Sequence, residues 1–244
     1  MARRRGFCRF RGGGFDDRSG AAGLGIPRSA IEARDGALGV TGKRLSRADW
    51  VAAARKALVA SGIDDVKVDV LARRLKVTRG SFYHHFDNRQ GLLDALLTDW
   101  AVNNQRELDA LRGQGAGIVE LFRIWLGEDP EFPAFDIAIR VWARKSRSVA
   151  ALVSDIDDGW VALIQAMLER DGIAAPESFV RARIVYFHQI GYYALSITES
   201  RADRLKLAPY YYQGLTGMAP PPGFDAAVRP PPRTRRTAAA DVGA

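Results

Sequence analysis

Residues 71–96 read LARRLKVTRGSFYHHFDNRQGLLDAL, and the fold turns on how they are divided. With the residues just before them they form VDVLARRL, whose Val68, Leu71, Ala72 and Leu75 recur at helical spacing on one face. The pattern breaks at Lys76-Val77, and a second short segment opens at Thr78 and ends near His84. Leu71, Ala72, Leu75, Val77 and Phe82 then fill the angle between two short helices joined by a tight turn, which is a helix-turn-helix. Asn88 can cap a long helix that begins GLLDALL.

The flanks extend the same pattern. Ser46, with Asp49 three residues on, forms a capping box ahead of Trp50, Ala54, Ala57 and Leu58 on one face, and Gly62 stops that helix. Beyond GQGAG, IVELFRIWL is apolar nearly all round, the mark of a helix buried on every side. Phe135, Ala138, Ile139 and Trp142 share a face. A longer stripe runs from Val149, Leu152, Val153 and Ile156 to Trp160, Leu163, Ile164 and Met167. Pro176 can open the last long helix, where Ile184, Phe187, His188, Gly191, Tyr192 and Leu195 form one stripe. No strand alternation competes, so the chain reads as all-α. The run Asp155, Asp157, Asp158 reads as a solvated face.

Charge is unevenly spread over the 244 residues, whose formal net charge is +8. Residues 1–44 hold ten Lys/Arg against four Asp/Glu, and residues 45–93 nine against five, whereas residues 101–220 hold thirteen against fifteen. A basic front on a slightly acidic remainder predicts a polyanionic partner for the front alone. Residues 1–44 lack a hydrophobic period and read as a disordered Arg/Gly-rich basic arm, and residues 218–244 as a disordered Pro-rich basic tail. The arm, RRRGFCRFRGGGF, resembles an arginine–glycine nucleic-acid-binding tail; a start read too far upstream explains it equally. No run is apolar enough to span a membrane and no secretory signal is present. With one cysteine, Cys8, a reducing, cytoplasmic setting is expected.

Enzyme chemistry finds no support. His84 and His85 point about 100° apart on a helix, where two ligands of one metal need i, i+4 spacing. No nucleophile motif or phosphate loop occurs, and GLGIP and GQGAG follow no strand, so no metal, cofactor or catalytic residue is expected. DNA suits the stretch better. Thr78, Arg79, Gly80 and Ser81 lie where a recognition helix meets the major groove: Arg79 reaches guanine edges and Gly80 permits close approach. Tyr83, His84 and His85 offer donors for phosphates, and Arg89 adds a cation.

The same residues resemble the DNA-binding domain of the tetracycline-repressor (TetR) family of bacterial regulators. The likeness rests on Leu71-Ala72, the turn valine Val77, Tyr83-x-His85-Phe86, and Asn88 before a basic residue. It is close over residues 45–100 and looser through 101–217, including ESRADRL…YYYQGLTG. It implies phosphate contacts for Tyr83 and Arg89, base contacts for Arg79 and Ser81, and a backbone position for His84 or His85. His85 has a second reading as a buried, hydrogen-bonded hinge. Three positions depart from the family's pattern. Lys76 replaces the usual turn glycine and is expected at positive φ. Lys67 stands where Ser or Thr commonly caps the second helix, and a phosphate contact would compensate. Asp69 either accepts from cytosine N4 or, the favoured reading, sits well at a helix N-terminus.

The resemblance further implies a helix-turn-helix domain over 45–92 and a helical ligand-binding and dimerisation domain over 93–217. Its expected partners are palindromic double-stranded operator DNA, a second copy through residues 176–200, and a small-molecule inducer that releases the DNA. Phe122, Trp125, Phe135, Trp142 and Tyr186 are the candidate ligand contacts, with core packing as each ring's other use. They point to an apolar or aromatic inducer, while Arg140 and Arg144 leave an acidic one open. The alternative function is nucleic-acid binding without ligand control, with the basic arm on RNA or non-specific DNA.

Overall fold

A computed structural model describes residues 45–127 and 131–229. The arm expected over residues 1–44 and the end of the tail, 230–244, lie outside the described residues. All regular structure among the described residues is helical. The head comprises α1 (Arg47–Ser61), a 3-10 turn (Ile63–Asp65), α2 (Val68–Leu75), α3 (Arg79–Tyr83) and the first turns of α4 (Arg89–Gly113). The capping box forms as expected: Asp49 N–H donates to Ser46 Oγ at 3.3 Å, and Ser46 N–H to Asp49 Oδ2 at 2.8 Å. Asn88 Oδ1 accepts from Gly91 N–H and so starts α4. Trp50 and Phe82 meet edge to face at 5.2 Å, Phe86 stacks on Phe82 at 5.4 Å, and all are buried with Leu58, Val66, Leu71 and Leu92. Truncating a ring such as Phe82 in this core would cost about 3–5 kcal/mol.

The boundary expected between residues 92 and 93 falls inside α4, which runs unbroken from head to body. Leu92, Leu93 and Leu96 belong to its buried face near the head, and Trp100, Asn104, Leu108 and Leu111 continue that face further on. The body adds α5 (Ile118–Gly127), α6 (Glu131–Ala143), α7 (Arg147–Arg170), α8 (Glu177–Ala194), α9 (Arg201–Thr216) and α10 (Phe224–Ala227). α7 packs on α8, α4 and α6, while α6 also packs on α1 of the head.

Two expectations need correction. α8 is not the last long helix, since the 16-residue α9 follows it. The tail expected from residue 218 is ordered at its start: α10 buries Phe224 and Val228, and Phe224 lies 5.0 Å from Tyr212 and 6.0 Å from Phe122. The uniformly apolar surface of α5 explains this, because α9 and α10 cover a side of it that would otherwise face water. The α8 stripe lies largely on the outward side of the single chain. The residues α8 buries are Ser178, Ala182, Val185, Tyr186 and Gln189, whereas Ile184, Phe187 and Leu195 are exposed.

Candidate nucleic-acid interface and ligand cavities

The turn between α2 and α3 is made by Lys76, at φ 57° and ψ 42°. That left-handed conformation lets Val77 N–H return to Ala72 O at 3.0 Å and closes the helix end without glycine. α3 therefore leaves α2 at a sharp angle with its first residues outward. Thr78, Arg79 and Gly80 are exposed and Ser81 is half-buried, so the four expected at the major groove share one accessible helix start. A Cβ on Gly80 would meet only Thr78 Oγ1, at 3.6 Å, so nothing within the chain demands glycine there. Close approach by an outside partner remains its physical use. Lys67 heads α2 without a side-chain cap and is exposed, as are Tyr83 and His84. His85 is half-buried, and no hydrogen bond of its ring is found among the described residues.

Two charged residues behave differently from expectation. Arg79 Nε lies 2.7 Å from Asp69 Oδ1, with both side chains more than half exposed. Such a pair adds little stability, about 0–1 kcal/mol, so its consequence is to restrict where the Arg79 guanidinium points. Asp69 thus acts on the first residue of α3 as well as on the N-terminus of its own helix. Arg89 has partners inside the head. Its Nε–H donates to Val66 O at 2.5 Å and its Nη2–H to Ile63 O at 2.8 Å. The guanidinium ties the 3-10 turn to the start of α4. Ile63 O otherwise accepts a long bond from Val66 N–H at 3.3 Å, and a cation complements both carbonyls well.

The expected ligand contacts separate into different places. Phe122 and Trp125 line a cavity of about 40 Å³ with His188, Gln189, Tyr192 and Tyr211. Trp125 and Tyr186 also line an adjoining one of about 20 Å³, walled by Asn104, Glu107, Phe132, Asp136, Arg140, Trp160, Gln189 and Tyr193. Phe135 is core, buried beneath the Arg55 guanidinium at 4.4 Å, and Trp142 borders an outer groove between α1 and α6. Neither reaches the paired cavities.

Polar side chains that the ring pattern did not reveal organise the smaller cavity. Arg140 Nε donates to Asp136 Oδ2 at 2.7 Å, and Nη1 and Nη2 donate to the two Asp157 oxygens at 2.9 Å. Tyr186 O–H donates to Asp157 at 2.7 Å, and Trp100 Nε1–H to Asp136 at 3.0 Å. Asp157 is therefore a member of an internal network and not of a solvated face. Burial opposes the Arg140 charge, but hydrogen bonds to Asp157 and the field of Asp136 outweigh it and raise its pKa. Burial raises the pKa of Asp136 against the pull of Arg140 and Trp100, and burial chiefly raises that of Tyr186. Glu107 is raised by burial with no charge or hydrogen bond to oppose it, and His188 is lowered by burial. His188 Nδ1 and Gln189 Nε2 are buried and find no partner among the described residues. Asn104 and Asp136 could have been flagged as polar interruptions of apolar helix faces. Which charge meets which could not.

An exposed recognition-helix start on a basic head, carried by an all-helical body, defines a helix-turn-helix DNA-binding regulator. Residues 51–96 match the sequence model described as bacterial regulatory proteins, tetR family. No curated protein matches the chain. Among solved structures the chain is similar to GusR of Salmonella enterica, at TM-score 0.55 and 20% identity over 71% of this chain and 94% of that one. It is similar also to a transcriptional regulator from Rhodococcus sp. Rha1, at TM-score 0.51 and 18% identity over 75% and 94%. For reduced NemR of E. coli the values are 0.51 and 19% over 69% and 96%. At these identities the likeness is one of fold.

Proposed function

We propose that this protein is a homodimeric repressor that holds a palindromic operator and releases it when a small molecule enters the body. The observation that carries the reading is the position of α6. One flank grips the head, through Arg55 over Phe135 and Lys145 Nζ on Asp64 at 2.5 Å. From the same helix Asp136 and Arg140 wall the smaller cavity. A ligand that moves α6 therefore reorients the head, which is a differential interaction of the kind a switch requires. Support for the dimer comes from α8, where Val180, Ile184 and Phe187, at i, i+4 and i+7, are 53%, 48% and 52% exposed. An apolar helix face of this kind marks an interaction surface, and a two-fold contact there, within residues 176–200, would present two recognition helices to half-sites on successive turns of DNA.

Thr78, Arg79, Gly80 and Ser81 would read base edges, with Lys67, Tyr83, His84 and His85 on phosphates. Arg89 would serve the head's own geometry. The setting is cytoplasmic, at the nucleoid, and the chemistry is binding and not catalysis. No helix among the described residues is long and apolar enough to cross a membrane. The test is selection of a duplex from a random library followed by sedimentation of the complex. A palindromic consensus bound by two chains is expected; a non-palindromic consensus bound by one would overturn the dimer.

A further inference from the structure

The smaller cavity carries information about its ligand's charge. Arg140 is the cation in its wall, and Asp136 and Asp157 already neutralise it with one negative charge to spare. Glu107 then adds a carboxylate that meets no cation or hydrogen-bond donor among the described residues. The remaining wall is rich in rings: Trp125, Phe132, Trp160, Tyr186 and Tyr193. Aromatic rings and an unbalanced carboxylate in a space of low polarity favour a positive charge and repel a negative one. This argues against the acidic inducer that Arg140 and Arg144 had left open. A second, independent feature points into the same space. Gln189 is 5% exposed and lines both cavities, and its Nε2 has no partner. A buried amide N–H left unpaired is unfavourable until something accepts from it.

We propose that the cavity between α4, α6, α7 and α8, widened from its present size as α6 moves, takes a lipophilic ammonium ligand that also carries a hydrogen-bond acceptor. Its charge lies against Glu107 among the Trp125, Phe132 and Trp160 rings, and its acceptor receives the Gln189 N–H. The assignment rests on the ligand-released reading above and narrows it to a class of compound. Burial of Glu107 without a counter-charge fits this arrangement, because a bound cation supplies what the folded protein lacks.

Three probes share a benzoyl group and differ in charge: benzoylcholine, its neutral isostere 3,3-dimethylbutyl benzoate, and the anion hippurate. Trp125 and Trp160 line the site, so tryptophan fluorescence of the full chain reports binding, with calorimetry as the second readout. Benzoylcholine is expected to bind the wild-type protein at least about tenfold more tightly than either other probe. Glu107→Gln should remove that preference and leave the neutral ester's affinity unchanged. Phe132→Leu should weaken the cation severalfold, and Gln189→Met should weaken the cation and the neutral ester alike, since both carry the acceptor. Thermal melts establish that each variant is folded. Equal or tighter binding of the ester or hippurate, a preference that survives Glu107→Gln, or no binding of any probe overturns the proposal and leaves DNA binding untouched. Release of a labelled selected duplex is scored separately. If benzoylcholine binds in the Glu107-dependent way but the duplex is retained, the ligand class stands and ligand-controlled release is refuted.

Discussion

Replacing Arg89 by alanine separates a DNA contact from a structural tie. In the structure its guanidinium donates to Val66 O at 2.5 Å and to Ile63 O at 2.8 Å, joining α4 to a turn more than twenty residues earlier. Hydrogen bonds from a charged donor contribute about 1.5–3 kcal/mol each at best. The Ile63 bond is exposed and water replaces much of it, while Val66 is fully buried as a residue. A total loss of roughly 2–3 kcal/mol follows, about 4–12 °C in melting temperature for a chain of this size. Urea and thermal unfolding by circular dichroism measure it, and binding to selected and scrambled duplexes is followed across a salt series. The expected result is a clear fall in stability, with any DNA defect recovered at low temperature where the head is folded. A variant with unchanged melting, and with both duplexes weakened alike and the salt slope lowered by about one unit per subunit, would refute this reasoning and restore Arg89 as a phosphate anchor.

Four further outcomes are expected. Arg79→Ala should cost about 1–3 kcal/mol on the selected duplex and relax one base position, and Asp69→Asn should relax the same position with little effect on scrambled DNA. Unchanged selectivity in both would show that the Asp69–Arg79 pair is not at the base edge. Phe187→Glu on the exposed face of α8 should give a monomer by sedimentation and abolish binding to a palindrome, and a persistent dimer would place the interface elsewhere. Arg140→Met leaves Asp136 buried without its cation and should destabilise by about 3–5 kcal/mol in urea; a shift under 1 kcal/mol would mean the network is dispensable. The last concerns pH. Burial holds the Glu107 pKa above its ordinary 4.5, so between those values the folded chain binds more protons than the unfolded one. Its contribution is therefore most favourable below 4.5 and is lost as pH rises through the raised value. Glu107→Gln should accordingly gain stability at pH 7 relative to wild type and gain least near pH 4, as read by melting temperature; an equal shift at both would refute the assignment.

The head was legible from the order of residues because everything that makes it is local. Ser46 with Asp49, the α2 apolar face, Lys76 at the turn and Asn88 before α4 all act within a few residues, and helical periodicity reports such contacts directly. Lys76 illustrates the point: its positive φ follows from the turn alone, whichever side chain occupies it. Arg79 and Gly80 at an exposed helix start were readable for the same reason.

What lay beyond reach depends on neighbours remote along the chain. The sequence cannot say that Arg89 meets carbonyls 23 and 26 residues away, or that Arg140 meets a tyrosine 46 residues away. A basic residue near a helix start looks the same whether it waits for phosphate or ties down a turn. Asp157 shows the converse, an acidic residue in a polar run that faces an internal arginine because α6 crosses α7 there. Apolar stripes carry a related ambiguity. Hydrophobic period identifies a face that leaves water but not what covers it, so α5 pointed to a partner that proved to be α9 and α10, whereas Ile184 and Phe187 stay exposed on the single chain. Local backbone chemistry thus determined the helices and the DNA-reading turn. The crossing of distant helices decided which charges are free, which are paired, and where a ligand can enter, because a side chain's environment is set by whatever the fold brings against it.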